Sequence, residues 1–319
     1  MGRAFASSGD LTEKRQTLEV IAPGVYARTA EGDPNIGAVE GEDFLVCFEA
    51  LATPDAARVW LSQLREHTDK PIRYLVLSHY HAVRVLGASA FAADAVLAHE
   101  HTRELIVERG QADWDSEYGR MPRLFQQPET IPGLTWPTIT FADRMTIELG
   151  GDRGQLQLQH PGRGHTAGDI VAWLPQQRIL FAGDLVEAQA ALYTGDAYHR
   201  EWAGSTLERL AELEATTLVG GRGDVVHGAR AVGAAIAQTR GFLEVMLEQV
   251  GAVHQRGGTR TEAFTATHAA LSPTYGDWPI FEHCLPFDVA RLWEELNGVE
   301  HPTIWTAERD REVWAQLQG

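Results

Sequence analysis

The stretch Tyr74-Leu75-Val76-Leu77 is wholly apolar and runs without a break into Ser78-His79-Tyr80-His81. A strand with no polar alternation has to be covered on both faces, which calls for a layered α/β fold rather than an open sheet. Where such a strand ends the chain leaves the sheet, and α/β folds build their sites at those ends. Here the end carries two imidazoles at i and i+2, which an extended backbone turns to the same side. Two histidines so placed can reach one metal ion. A second pair of the same spacing, His99 and His101, opens a charged segment and reads as the solvated start of a helix.

Two further segments put ligand-type residues in glycine-permitted loops at strand ends: Gly164-His165-Thr166-Ala167-Gly168-Asp169 and Phe181-Ala182-Gly183-Asp184. Around them, 18–27 and 36–48 read as short strands, 95–98 as another, and 170–174 with 179–182 as a hairpin. Thr53-Pro54-Asp55 carries the signature of a helix start. Residues 88–95 suggest a helix, and Ser205-Thr206-Leu207-Glu208 reads as a capping box opening one. The span 100–137 is rich in charge and aromatic residues and is expected to cover the site. Thr217 to Val219 is the last good strand, followed by Gly220-Gly221-Arg222-Gly223-Asp224, and the chain reads helical from 229 onward. The expected organisation is a flexible lead-in over 1–15, an αβ domain over 16–245 and a helical extension over 246–319.

In this order, with the H-x-H loop, the G-H-T-x-G-D loop, the hairpin, the G-D loop and the late glycine-rich loop, the chain resembles the metallo-β-lactamase superfamily over about residues 18 to 230. The resemblance implies a four-layer αβ/βα sandwich with a metal site at one edge. It also implies that His79, His81 and His165 match the three histidines of the family's first metal site, and that Asp184 matches the carboxylate bridging two metals. The departures carry as much information. The family's H-x-H-x-D-H reads here His79-Tyr80-His81-Ala82-Val83-Arg84, and the histidine of the late loop is replaced by Arg222. An arginine offers no lone pair and stays protonated, so it cannot ligate a cation. Arg84 and Arg222 can instead supply the positive charge that a second ion would have given Asp184. Whether they only pair with Asp184 and Glu187, or also bind an anionic substrate group, stays open at this point. Asp169 reads as a residue that orients its loop or a ligand.

A single divalent ion is therefore expected, zinc first, with iron or manganese as alternatives. The expected activity is hydrolysis of an ester, lactone, thioester or amide, with a metal-activated water and Asp184 orienting it or taking its proton. One alternative is a mononuclear iron dioxygenase resembling the persulfide dioxygenases. Another is a degenerate, non-catalytic member that binds an anion or a partner. In the helical extension, His283 follows a cluster of aromatic residues and is a further candidate for contact with substrate. His227 is a weaker candidate for the missing ligand, and His160 reads as a strand-end residue. The net charge of −17, from 27 basic and 44 acidic residues, argues against nucleic acid or an anionic membrane as partner. The expected partner is a small-molecule substrate, with a homodimer left open. No apolar run is long enough to span a bilayer, and the N-terminus lacks a signal-peptide pattern, so a cytoplasmic protein is expected. The two cysteines, Cys47 and Cys284, are too far apart in sequence to suggest a thiolate motif, and Cys47 reads as a buried core thiol.

Overall fold

Alternation along β4 (Leu45–Phe48) decides the layers. Leu45 and Cys47 point to one face and Val46 and Phe48 to the other, and all four are buried. A strand dry on both faces needs a second sheet on one side and helices on the other. The computed structural model, which describes residues 5–318, has that arrangement.

One sheet runs in sequence order through β1 (Thr17–Ala22), β2 (Val25–Ala30), β3 (Asp33–Glu40), β4, β5 (Ile72–Val76), β6 (Ala95–His99) and β7 (Ile139–Phe141). It is antiparallel up to β4 and parallel from β4 onward. The other contains β8 (Arg144–Glu148), β9 (Gln155–Gln159), β10 (Val171–Leu174), β11 (Ile179–Gly183), β12 (Thr217–Gly220) and β13 (Val226–His227), ordered 13-12-11-10-9-8. Their inner faces meet through Val46, Phe48 and Val76 on one side and Leu158, Phe181 and Val219 on the other. α1 (Pro54–Leu64) covers the first sheet, laying Ala57, Trp60 and Leu64 on Leu45, Cys47 and Leu75. Each fully buried large apolar side chain of this kind stabilises by about 1.5–3 kcal/mol. α1 starts where expected, with the Thr53 hydroxyl accepting from the Ala56 amide at 3.1 Å.

The remaining helices are α2 (Ala82–Val85), α3 (Glu100–Arg120), α4 (His199–Glu201), α5 (Leu207–Glu212), α6 (Ala229–Gln255), α7 (Arg260–Tyr275), α8 (Phe281–Leu296) and α9 (Ala307–Gln318). The C-terminal helices cover the second sheet, with Phe242, Phe287 and Trp314 in one core with Trp173, Leu180 and Leu218. The four-layer α/β sandwich with a helical C-terminal region is thus observed. The expected boundary at 245 falls inside α6. Of the lead-in, residues 1–4 lie outside the described residues, while the Phe5 ring packs 5.0 Å from that of Trp314.

Several local expectations need correction. The segments 18–27 and 36–48 each contain a reversal, giving four strands rather than two. Residues 86–90 form a 3-10 turn rather than a helix over 88–95. The Ser205 capping box does not form. The helical path already begins at His199 and kinks at Gly204, and the Thr206 hydroxyl is spent on the Arg163 carbonyl at 2.8 Å. His99 is buried rather than solvated, bonded to the Ala142 carbonyl at 2.6 Å and packed against His160; only His101 faces solvent.

α4 is tied to α8 by Glu295, which accepts from the His199 amide at 3.0 Å and from its Nδ1 at 2.9 Å. Burial pushes the Glu295 carboxyl up, but these bonds and the His199 charge outweigh it and bring it to about 2. A carboxylate depressed in the folded state stabilises above its unfolded value, near 4.5, and that stability is lost as pH falls toward 2. Between pH 5 and 2 the melting temperature is therefore expected to fall more steeply for the wild type than for Glu295→Gln. Parallel melting curves for the two proteins would remove this tie as the cause of acid sensitivity.

Candidate metal centre

β5 delivers the chain to residues 78–81, and a short turn then enters α2. The α2 amino end has no side-chain cap of its own. Asp113 and Glu117 of α3 supply it, accepting from the Ala82 amide at 2.6 Å and the Val83 amide at 2.8 Å. This fixes the direction in which the preceding histidines leave the sheet. His165 arrives from the loop between β9 and β10. There Asp169 accepts from both the Thr166 amide and hydroxyl, at 2.8 and 2.7 Å, and so shapes the turn beside the imidazole.

His79, His81 and His165 converge, each 1–2% exposed, with one ring nitrogen apiece in a group whose atoms lie within 4.8 Å of one another. The outer nitrogen of each ring is held. His165 Nδ1 meets the Tyr193 carbonyl at 2.8 Å, His81 Nε2 meets Asp196 at 3.1 Å, and His79 Nδ1 meets the Ser78 hydroxyl at 2.8 Å. A carbonyl cannot donate, so His165 Nδ1 carries the proton and Nε2 presents its lone pair. Nε2 faces His81 Nδ1 at 2.9 Å. A proton between those two nitrogens satisfies that pair only; His79 Nε2, buried, has no hydrogen-bond partner among the described residues. One cation serves all three, so the donor set fits a metal ion.

The electrostatics agree. Burial drives His79 well below its ordinary value and His165 down to about 3, so both rings are neutral donors. Burial also disfavours charge on His81, yet Asp113, the Asp196 bond and Glu117 together lift it to about 9, the mark of a field that favours a cation. Asp196 itself accepts from the Tyr80 hydroxyl at 3.0 Å and from Arg109 at 3.2 Å.

Asp184, at the end of β11, turns Oδ2 toward the same centre, 3.9 Å from His79 Nε2 and 3.7 Å from His165 Nε2. Both of its oxygens also serve the arginines. Arg84 donates to Oδ1, to the Gly221 carbonyl at 2.8 Å and to the Asn35 carbonyl at 3.2 Å. Arg222 donates to Oδ2 and to Glu187, both at 3.0 Å. Burial pushes the Asp184 carboxyl up, but Arg84 and Arg222 outweigh it and hold it well below the usual carboxylate range. Gly221 is required by this packing: a Cβ there would lie 2.2 Å from Asp184 Oδ1. His283, on α8, is fully buried with both ring nitrogens unpartnered among the described residues. His227 lies at the surface, bonded to Glu19.

Sequence reasoning did not single out Asp196, Asp113, Glu117, Arg109, Asn35 or Glu49. Asn35 stitches the β2–β3 hairpin to the late loop through the Gly220 and Gly223 carbonyls. Glu49 is buried beside Ser78, burial pushes its carboxyl up to about 8, and it sits at φ 72°, a strained conformation for a side chain of its kind. Gly195-Asp196 is one of eight Gly-Asp dipeptides in the sequence, so the pair by itself did not mark it out.

The family model described as the metallo-beta-lactamase superfamily matches residues 29–222. The alpha subunit of 2,4-dinitroanisole O-demethylase from Nocardioides sp. (strain JS1661) is 27% identical over 190 residues, covering 59% of this chain and 49% of that protein. A metallo-beta-lactamase type 2 from Bacillus sp. (strain 170) is 27% identical over 165 residues, covering 50% of this chain and 54% of its own. The chain thus spans about half the length of these curated relatives. Among solved structures, a double mutant of the sec-alkyl sulfatase PisA1 aligns with a TM-score of 0.69 at 19% identity, covering 89% of this chain and 50% of that one. The metallo-beta-lactamase from Pontibacter korlensis aligns with a TM-score of 0.56 at 22% identity, covering 71% and 99%. These likenesses speak to the fold.

Proposed function

The chain belongs to the metallo-beta-lactamase superfamily, and from that membership we propose that it is a metal-dependent hydrolase working with one ion, zinc by preference, held by His79, His81 and His165 with Asp184 beside it. The observation that carries this reading is the convergence of three buried, outwardly tethered imidazoles on one point, with an orphaned His79 Nε2, next to a carboxylate already neutralised by two arginines. An all-nitrogen set of three suits zinc. When bound, the ion supplies an activated water at neutral pH and polarises the bond to be broken.

The chain's own residues divide the remaining work. Ser78, Asp196 and the Tyr193 carbonyl fix the three rings, so the donor nitrogens stay aimed without reorganisation. Asp184 is too acidic, between Arg84 and Arg222, to be an effective base near pH 7; its role is to accept a hydrogen bond and orient the attacking group. Tyr80, Tyr193 and Trp202 pack around the imidazoles and keep bulk water out. Ester, lactone, thioester and amide carbonyls are the substrate class this arrangement suits. Because both guanidinium groups already serve Asp184, selectivity for an acidic substrate would need donors beyond this pair.

The test is turnover of a chromogenic panel (a nitrophenyl ester, a thioester, a β-lactam and 2,4-dinitroanisole) before and after dialysis against a chelator. Chelation is expected to lower the activity found by at least about a hundredfold, with recovery on adding one equivalent of zinc. Activity that survives complete metal removal would overturn the proposal.

A further inference from the structure

A cavity of about 630 Å³ lies between β2, α1, the loop after β4 and the segment 123–126. Among the described residues its one unpartnered cation is Arg28, on β2. That side chain is 4% exposed, makes no hydrogen bond or ion pair with any described residue, and leaves Nε unsatisfied. The other cations of the lining are spent: Lys14 on Asp10 at 2.9 Å, Arg15 on Glu31, and Arg123 on both oxygens of Asp33. Asp33 is the acid nearest in effect to Arg28, and its carboxylate is thereby committed elsewhere. Burial lowers Arg28 to about 10, against the opposing field of Asp33, so it is still charged at neutral pH.

An unpaired buried charge is expensive and calls for a partner. With 44 acidic residues against 27 basic ones, a shortage of carboxylates does not explain it. The cavity beside Arg28 is also apolar on several sides, through Leu51, Val59, Val83 and Leu124, and holds one more unpaired polar atom, Gln63 Oε1. Its volume lies within the range of small-molecule sites.

We propose that this cavity binds a monocarboxylate with an apolar body, its carboxylate on the Arg28 guanidinium and its body against Leu51, Val59, Val83 and Leu124. A planar guanidinium matches a carboxylate with two parallel bonds. Glu13, Asp33 and Asp55 also line the cavity and oppose a second negative charge, which favours a monoanion over a phosphate. The site is separate from the metal centre in its donors, and its wall residue Val83 stands two positions from His81, so a ligand here leans on the turn that carries a metal ligand.

Calorimetric titration and thermal shift with octanoate, and with octanamide as the neutral match, test this on the full chain. The wild type is expected to bind one octanoate, with octanamide at least tenfold weaker. Arg28→Met is expected to abolish that preference while melting no lower than the wild type without ligand. Val59→Trp, at a half-exposed helix position, is expected to weaken both ligands at least tenfold by filling the cavity. Equal binding of octanoate and octanamide to the wild type, no octanoate binding at millimolar concentration, or octanoate affinity unchanged in Arg28→Met would each overturn the proposal. Should Arg28→Met fail to fold, the wild-type charge preference and Val59→Trp decide the matter alone.

Discussion

Asp184→Ala is expected to destabilise the fold by about 3–5 kcal/mol in a urea melt carried out in chelator, the range for removing one partner of a buried ion pair. Its partners explain the size. Arg84 is fully buried and, among the described residues, its one ion-pair partner is Asp184; its remaining bonds go to the Gly221 and Asn35 carbonyls, which carry no charge. Arg222 keeps Glu187 as a second acceptor, so most of the loss falls on Arg84. Removing the stranded cation as well should restore part of the stability, so Asp184→Ala with Arg84→Met is expected to be more stable than Asp184→Ala alone. Working in chelator separates this effect from any loss of bound metal, since neither protein then carries an ion. A shift below about 1 kcal/mol would mean that the Asp184–arginine group does not hold the site together.

The parts of this site that could be read from the sequence are those whose chemistry is local. His79, His81, His165, Asp184 and Arg222 each sit in a short loop near a strand end, with Arg84 following at once in α2, so strand, turn and site residue fall close together in the chain. The residues that aim those ligands were hidden for a physical reason. Arg109, Asp113 and Glu117 recur every four positions on α3, the spacing of a solvated charged stripe, and a sequence offers no sign that such a stripe faces inward. It faces inward because α2 presents bare amides there and Asp196 sits opposite Arg109, contacts made across 31 to 87 residues of chain. His99 misled in the opposite sense: its charged neighbours suggested solvent, while the Ala142 carbonyl, 43 residues on, buries it. Ser205 shows local signal losing to tertiary context, because the chain is already on a helical path from His199 and Ser205 is no helix start. The layering was legible for the same reason as the ligands, since strands without polar alternation have to be covered on both faces.

Protein purified without added metal is expected to carry close to one equivalent of ion per chain, and His79→Ala to weaken its retention by more than about a hundredfold, above the 10–100-fold typical of residues that only orient a ligand. The upper limit follows from what stands around Asp184. A second ion would need ligands where the chain has Val83, Arg84 and Arg222. It would also have to share Asp184 with two guanidinium groups that already occupy both oxygens. Reverting one arginine to histidine leaves the other beside the would-be ion, so Arg222→His alone is expected to stay near one equivalent. Adding Val83→Asp and Arg84→His removes that repulsion and supplies oxygen and nitrogen donors. If charge replacement is what excludes the second ion, this triple variant moves toward two equivalents in elemental analysis. Asp196→Asn gives the complementary measurement, because of the three imidazoles it loosens only that of His81. It should lower affinity by about 10–100-fold with the stoichiometry unchanged. Two equivalents in the wild type would mean that arginines at 84 and 222 do not close the second site, and the one-ion reading of the centre would fall with it.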